Sequence, residues 1–168
     1  MSEAAPAADW REDAWRALRA GGVAIVGYVP DAGHAHLIAR ANEDPAVRAV
    51  PLTSEEEGVG LCAGAFLGGV RAVLLMQSSG VGNCVNMFSL RENGRFPLVL
   101  LVTMRGEHAE FNPWQVPMGR ATPEVLRLAG FAVERVDRGE DVAGTVAAAL
   151  DFAYASEVGV AVLLSQRL

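Results

Sequence analysis

Ala72-Val73-Leu74-Leu75-Met76-Gln77-Ser78-Ser79-Gly80-Val81-Gly82-Asn83 is the stretch that decides the fold. Five apolar residues in succession, without the polar alternation of a half-exposed strand, read as a strand buried on both faces. A glycine-rich strand-to-helix turn follows, and helical periodicity resumes near 83–92. Working outward, the same alternation recurs. Val23 to Tyr28, Leu98 to Thr103, Phe131 to Val136 and Val160 to Leu164 are further strands, with Val47 to Pro51 as a shorter sixth. Helices are expected near 10–20, 33–42, 55–68, 123–129 and 140–155. Apolar strands joined through helices rather than hairpins belong to a mostly parallel six-stranded sheet, covered on both faces in three α/β/α layers. Ligands of such sheets sit beyond the carboxyl ends of the strands. The segments of interest are therefore Tyr28 to Asp31, Pro51 to Glu57, Gln77 to Asn83, and the long irregular stretch Met104 to Gly119.

The chain has 168 residues, half of them hydrophobic, which suits a single domain over residues 10–168 behind a disordered tail at 1–9. A net charge of −6 argues against nucleic acid or an anionic membrane surface as partner. All 14 basic residues are arginine, so a lysine Schiff base, a pyridoxal-phosphate lysine and a P-loop lysine are excluded. Cys62 and Cys84 lie in apolar or small-residue helical patterns and read as buried, reduced thiols. No signal-peptide pattern and no membrane-length apolar run are visible, so the expected location is cytoplasmic.

Thr53-Ser54-Glu55-Glu56-Glu57 opens a helix. Ser54 with Glu57 matches a capping box, and the helix dipole favours carboxylates in a first turn. Helical phase puts Glu55 within the apolar stripe, Glu56 at its edge and Glu57 almost opposite, so Glu55 and Glu56 are the inward-facing candidates. The Gln77–Asn83 turn can present backbone N–H groups to a ligand, but Val85 stands where the dinucleotide fingerprint needs its third glycine. Arg105 to His108 and Trp114 to Gly119 follow an apolar strand and project from the ligand-bearing edge. His34, His36 and His108 have no metal-site spacing, and Ser78 and Ser79 lack a nucleophile-elbow context.

Taken together, Tyr28-Val29-Pro30-Asp31, Glu55 to Gly60 running into Ala63-Gly64-Ala65-Phe66, Gln77 to Asn86, and Arg105-Gly106 with Gln115 and Met118-Gly119 resemble the pyrimidine-binding domain of thiamin-diphosphate enzymes. The nearest likeness is to the alpha subunit of sulfopyruvate decarboxylase and the matching half of phosphonopyruvate decarboxylase. The resemblance spans roughly residues 14–165. In that family the activating glutamate stands nine residues before a glycine followed by an aromatic. Ala65-Phe66 looks like that pair, with alanine replacing glycine, and counting back gives Glu56. Such a glutamate shares a proton with N1′ of the aminopyrimidine ring, and the cofactor carries the hard chemistry of decarboxylating a 2-oxoacid to an aldehyde. The resemblance further implies cofactor contacts from Pro30, Ser79, Gly80, Val81, Gly82 and Asn83. It also implies substrate contacts from Gln115, with Arg105 and His108 suited to anionic groups. The GDG…N motif that holds Mg2+ and the diphosphate is absent. A separate diphosphate-binding (beta) subunit is therefore expected to supply it, and this chain no metal ligand. A carboligase, another 2-oxoacid decarboxylase subunit, or a noncatalytic regulatory subunit are the alternatives.

Overall fold

The computed structural model describes residues 9–168. Of the expected tail, residues 1–8 lie outside the described residues. Asp9 is the N-cap of the first helix, its carboxylate accepting from the Arg11 N–H. The elements in chain order are α1 (Trp10–Ala20), β1 (Val23–Tyr28), α2 (Ala35–Glu43), β2 (Arg48–Pro51), α3 (Glu55–Leu67), β3 (Arg71–Gln77) and α4 (Ser78–Cys84). They continue with α5 (Phe88–Gly94), β4 (Leu98–Thr103), α6 (Gln115–Leu128), β5 (Phe131–Val136), α7 (Gly139–Ser156) and β6 (Gly159–Leu164).

The six strands form one sheet in the order β2-β1-β3-β4-β6-β5, every pairing parallel. The central strands are apolar because both faces are covered. On one face Val73, Leu75, Val99, Leu101, Val160 and Val162 pack against α1, α2 and α7. On the other, Leu74, Met76, Leu100, Val102, Ala161 and Leu163 pack against α3 to α6. Alternate residues of one strand thus enter separate cores, which is why the strands show no polar alternation.

Two expectations about local structure are corrected. Gln77 to Asn83 is not a turn: Ser78–Cys84 is helical, and the helix expected near 83–92 is two short helices, α4 and α5. The glycines serve close packing instead of a bend. A Cβ on Gly80 would stand 2.6 Å from Oε1 of Glu55, and one on Gly82 would stand 3.0 Å from Sδ of Met118. The second concerns α6, which starts at Gln115 rather than near 123, so the irregular stretch ends at Trp114. Pro117 is tolerated because it falls in the first helical turn, where its missing N–H has no partner to lose. Pro123 is accommodated inside the helix.

Among the described residues no helix is long and apolar enough to cross a membrane. Cys62 and Cys84 are free and buried, as their sequence setting indicates.

Candidate functional site at the carboxyl edge of the sheet

The carboxyl ends of β1, β2, β3, β4 and β6 converge on the residues singled out by sequence. The first turn of α3 carries the three glutamates, and the structure separates them. Glu57 faces solvent and its carboxylate accepts the N–H of Thr53 at 2.9 Å, while Ser54 is the N-cap without a side-chain cap bond. This is half of the expected capping box, shifted by one residue. Glu55 is 9% exposed and lies against Gly80, with Oε2 accepting from Nδ2 of Asn83 at 2.9 Å. Glu56 is exposed, and among the described residues no hydrogen bond or ion pair engages it.

Glu56 heads a stripe of α3 formed with Gly60, Gly64 and Leu67 at helical spacing. A Cβ on Gly60 or Gly64 would meet nothing within 4 Å, and Leu67 is 86% exposed. Beside it, Ala63, Phe66, Leu90, Gly94 and Phe96 line an apolar hollow between α3 and α5. The face bearing Glu56 is thus flat, then greasy, with no element among the described residues upon it.

Within α4, Ser79, Gly82 and Asn83 reach the surface to differing degrees, whereas Gly80 and Val81 are buried, Val81 completely. Pro30 is exposed after β1. Gln115, the first residue of α6, is 5% exposed, and its Oε1 has no hydrogen-bond partner among the described residues. A buried acceptor without a donor is uncommon in a folded chain and can take one from water or from a bound group.

Across the middle of the edge runs a polar network that was not legible in the sequence. Asp31 accepts from Nε2 of Gln77 at 2.6 Å and from Oγ1 of Thr103 at 2.8 Å. Gln77 accepts in turn from Nη1 of Arg105 at 3.3 Å. The Arg105 guanidinium is clasped by both oxygens of Glu110, at 2.8 and 2.6 Å. The Arg105 charge is thus already matched by a carboxylate, while Nη1 and Nη2 each keep an N–H for a further acceptor. His108 is exposed, and its backbone N–H is held by Gln166. Asp31, Thr103 and Arg105 also wall a cleft of roughly 320 Å3 with Trp10, Phe111 and Gln166. Neither Glu56 nor Asn83 touches this cleft. It opens on the α1 and α2 side of the sheet, so it is separate from the face that carries the glutamates.

His34 is buried beneath the same edge. Its Nε2–H is shared between the carbonyls of Met76 (3.2 Å) and Leu101 (3.0 Å), and Nδ1 is unpartnered. Because carbonyls only accept, the proton belongs on Nε2. Burial, against the pull of Asp31, lowers its pKa. Among the described residues no group of three or more His, Cys, Asp or Glu is placed to hold a metal ion.

No protein-family model matches the chain. It is 34% identical over 157 residues to the sulfopyruvate decarboxylase subunit alpha of Methanothermobacter thermautotrophicus, covering 93% of this chain and 95% of that one. With the protein of the same name from Methanocaldococcus jannaschii it shares 32% over 150 residues, 89% of each. A phosphonopyruvate decarboxylase of Streptomyces viridochromogenes is 39% identical over 109 residues, 64% of this chain but 28% of that protein. Among solved structures, a 2-oxoglutarate:ferredoxin oxidoreductase from Magnetococcus marinus shares the fold at TM-score 0.73 and 13% identity. That match covers 94% of this chain and 29% of the other.

Proposed function

Because the chain belongs to the family of sulfopyruvate decarboxylase alpha subunits, we propose that it is the pyrimidine-binding half of a thiamin-diphosphate-dependent decarboxylase. Its substrate is 3-sulfopyruvate or phosphonopyruvate, and its activity requires a separate diphosphate-binding subunit. One observation carries the reading: among the described residues, nothing partners the Glu56 carboxylate at the carboxyl edge of the sheet, and nothing covers the face of α3 that bears it. A catalytic carboxylate on open surface is half a site, completed where another chain docks.

The residues present fit the cofactor. An aminopyrimidine carries ring nitrogens and an amino group, and the edge offers an exposed carboxylate at Glu56 that no described residue engages. When bound, thiamin diphosphate supplies the sink for the electron pair left as the 2-oxoacid loses carbon dioxide. Glu56 moves a proton to and from N1′ of the pyrimidine. Ser79, Gly82, Asn83 and Pro30 bound the ring at the surface. Gly80 and Val81 act from beneath, since a bare Gly80 lets Glu55 lie against α4 and bond Asn83. That bond ties the first turn of α3 to α4 and orients Glu56 beside it. Gln115 presents its amide to the substrate, and His108 is the exposed group available for the anionic end. Arg105 contributes through its fixed place in the network, its charge being matched by Glu110. Mg2+ and the diphosphate are assigned to the partner, the chain lacking a GDG motif.

The test is reconstitution. This chain is co-expressed with a chain of similar length carrying GDG…N, and carbon dioxide release from sulfopyruvate, phosphonopyruvate and pyruvate is measured with thiamin diphosphate and Mg2+. The expected result is turnover of sulfopyruvate or phosphonopyruvate by the pair and none by either chain alone. Turnover by this chain unaided, or an assembled pair that turns over neither of these two acids, contradicts the proposal.

A further inference from the structure

The Glu110 side chain, only 4% exposed, is engaged on both oxygens. Nε and Nη2 of Arg105 donate at 2.8 and 2.6 Å, the N–H groups of Gly106 and Asn112 at 3.0 Å each, and Nε2 of Gln166 at 3.0 Å. These donors fill the lone-pair sites a carboxylate has. They come from the loop after β4 and from beyond β6, so one acid joins two parts of the chain.

What the acid fixes is the start of α6. Asn112, whose N–H is held by Glu110, accepts through its own carbonyl the N–H of Gln115 at 2.9 Å. The other end of the loop bears on the same turn. Gly106 has φ +76, and a Cβ there would stand 2.6 Å from Cα of Val116; a Cβ on Gly119 would stand 2.0 Å from the carbonyl oxygen of Arg105. Between them Ala109 holds φ 48, a left-handed conformation that an alanine adopts only when its surroundings impose it. The loop is ordered by its contacts, five of which converge on Glu110. Gln115, at the end of this path, carries the buried orphan oxygen.

We infer that Glu110 is a positioning residue of the decarboxylase site, setting the stand of Gln115 through Asn112 while fixing the Arg105 guanidinium in place. The inference rests on the proposed function only in naming what Gln115 faces. Substituting Glu110→Gln turns one acceptor oxygen into an amide donor facing N–H groups, which breaks the Arg105 clasp or the Asn112 bond. Glu110→Asp keeps the charge but is one methylene too short to serve both.

The experiment has two arms. In the chain itself, hydrogen exchange of backbone amides is followed by NMR for the wild type, Glu110→Gln and Glu110→Asp. Exchange at Gly106, Asn112 and Gln115 is expected to rise at least tenfold, with β4 and α7 unchanged; unaltered protection at Gln115 in both variants overturns the inference. If Glu110→Gln does not fold, Glu110→Asp decides by the same readout. In the reconstituted pair, kcat of Glu110→Gln is expected to fall at least tenfold, and adding Gln115→Ala to lower it little further, since the two act in one path. Losses that multiply as though independent, or a loss in KM alone, contradict it. A wild-type pair without decarboxylase activity defeats the functional reading, while the exchange arm still judges the positioning.

Discussion

Replacing Gly80 by alanine sets a local gain against a tertiary cost. In a solvent-facing helix the change stabilises by about 1 kcal/mol, because glycine loses more backbone freedom on folding. Here the new Cβ would stand 2.6 Å from Oε1 of Glu55 and 2.7 Å from its Cδ and Cγ. Cγ is not the free end of a flexible chain, so the whole Glu55 side chain must move, at an overpacking cost of about 1–3 kcal/mol. Moving it also breaks the bond from Asn83 to Glu55, worth about 1.5 kcal/mol at the low end for a charged acceptor, since Asn83 reaches solvent. The net expectation is destabilisation by about 1.5–3.5 kcal/mol, or a fall in Tm of roughly 3–14 °C for a domain of this size. Urea denaturation of the chain measures it, within a double-mutant cycle with Glu55→Ala. In the Glu55→Ala background the clash is gone and Gly80→Ala should stabilise. If Gly80→Ala raises the unfolding midpoint in the wild-type background, the packing of Glu55 on α4 is not as described.

Two further outcomes follow from electrostatics. The Arg105 guanidinium, helped by the N–H groups around it and opposed by burial, holds the Glu110 carboxyl well below its ordinary value of 4.5. A depressed carboxyl contributes stability fully above 4.5 and loses it as pH falls toward the folded value. Carboxyl NMR titration should therefore find Glu110 still ionised at pH 4.5 and the loop still protected there; a midpoint at or above 4.5 refutes the clasp. Burial pushes both cysteine thiols up to about 12, with Glu55 and Glu56 adding to the effect at Cys84. Neither should react with a thiol reagent at pH 8 until urea unfolds the chain, and prompt labelling of the native protein would contradict their burial.

Sequence carried the central strands β3, β4 and β6 almost to their boundaries because each is a continuous apolar run, and continuity is what double-sided burial demands; β5, at the sheet edge, keeps Glu134 and Arg135 exposed. It misread Gln77 to Asn83 because two glycines in seven residues look like a bend, whereas here they make room for Glu55 and Met118. That reason lies in other elements and leaves no local trace. Pro117 misled similarly: a proline usually marks an end, and only the position of Gln115 shows that it lies within a first turn. At the site, helical phase placed Glu55 inward and Glu57 outward as the fold does, but it also offered Glu56 as inward-facing, whereas the fold leaves Glu56 exposed. Glu110, Gln166 and Asp31 escaped notice as a group because their partners are 46 to 72 residues distant or lie across an irregular loop. A lone glutamate in a loop resembles any solvated charge.

The central claim concerns which of two adjacent carboxylates acts. Carbon dioxide release from sulfopyruvate and phosphonopyruvate by the reconstituted pair, compared for wild type, Glu56→Gln and Glu55→Gln, tests it most directly. The account predicts that Glu56→Gln assembles normally and loses about 10²–10⁴-fold in kcat, the range for removing a positioned proton-transfer group. Glu55→Gln, which still accepts from Asn83 through its amide oxygen, should retain most turnover. Full activity in Glu56→Gln, or collapse confined to Glu55→Gln, contradicts it.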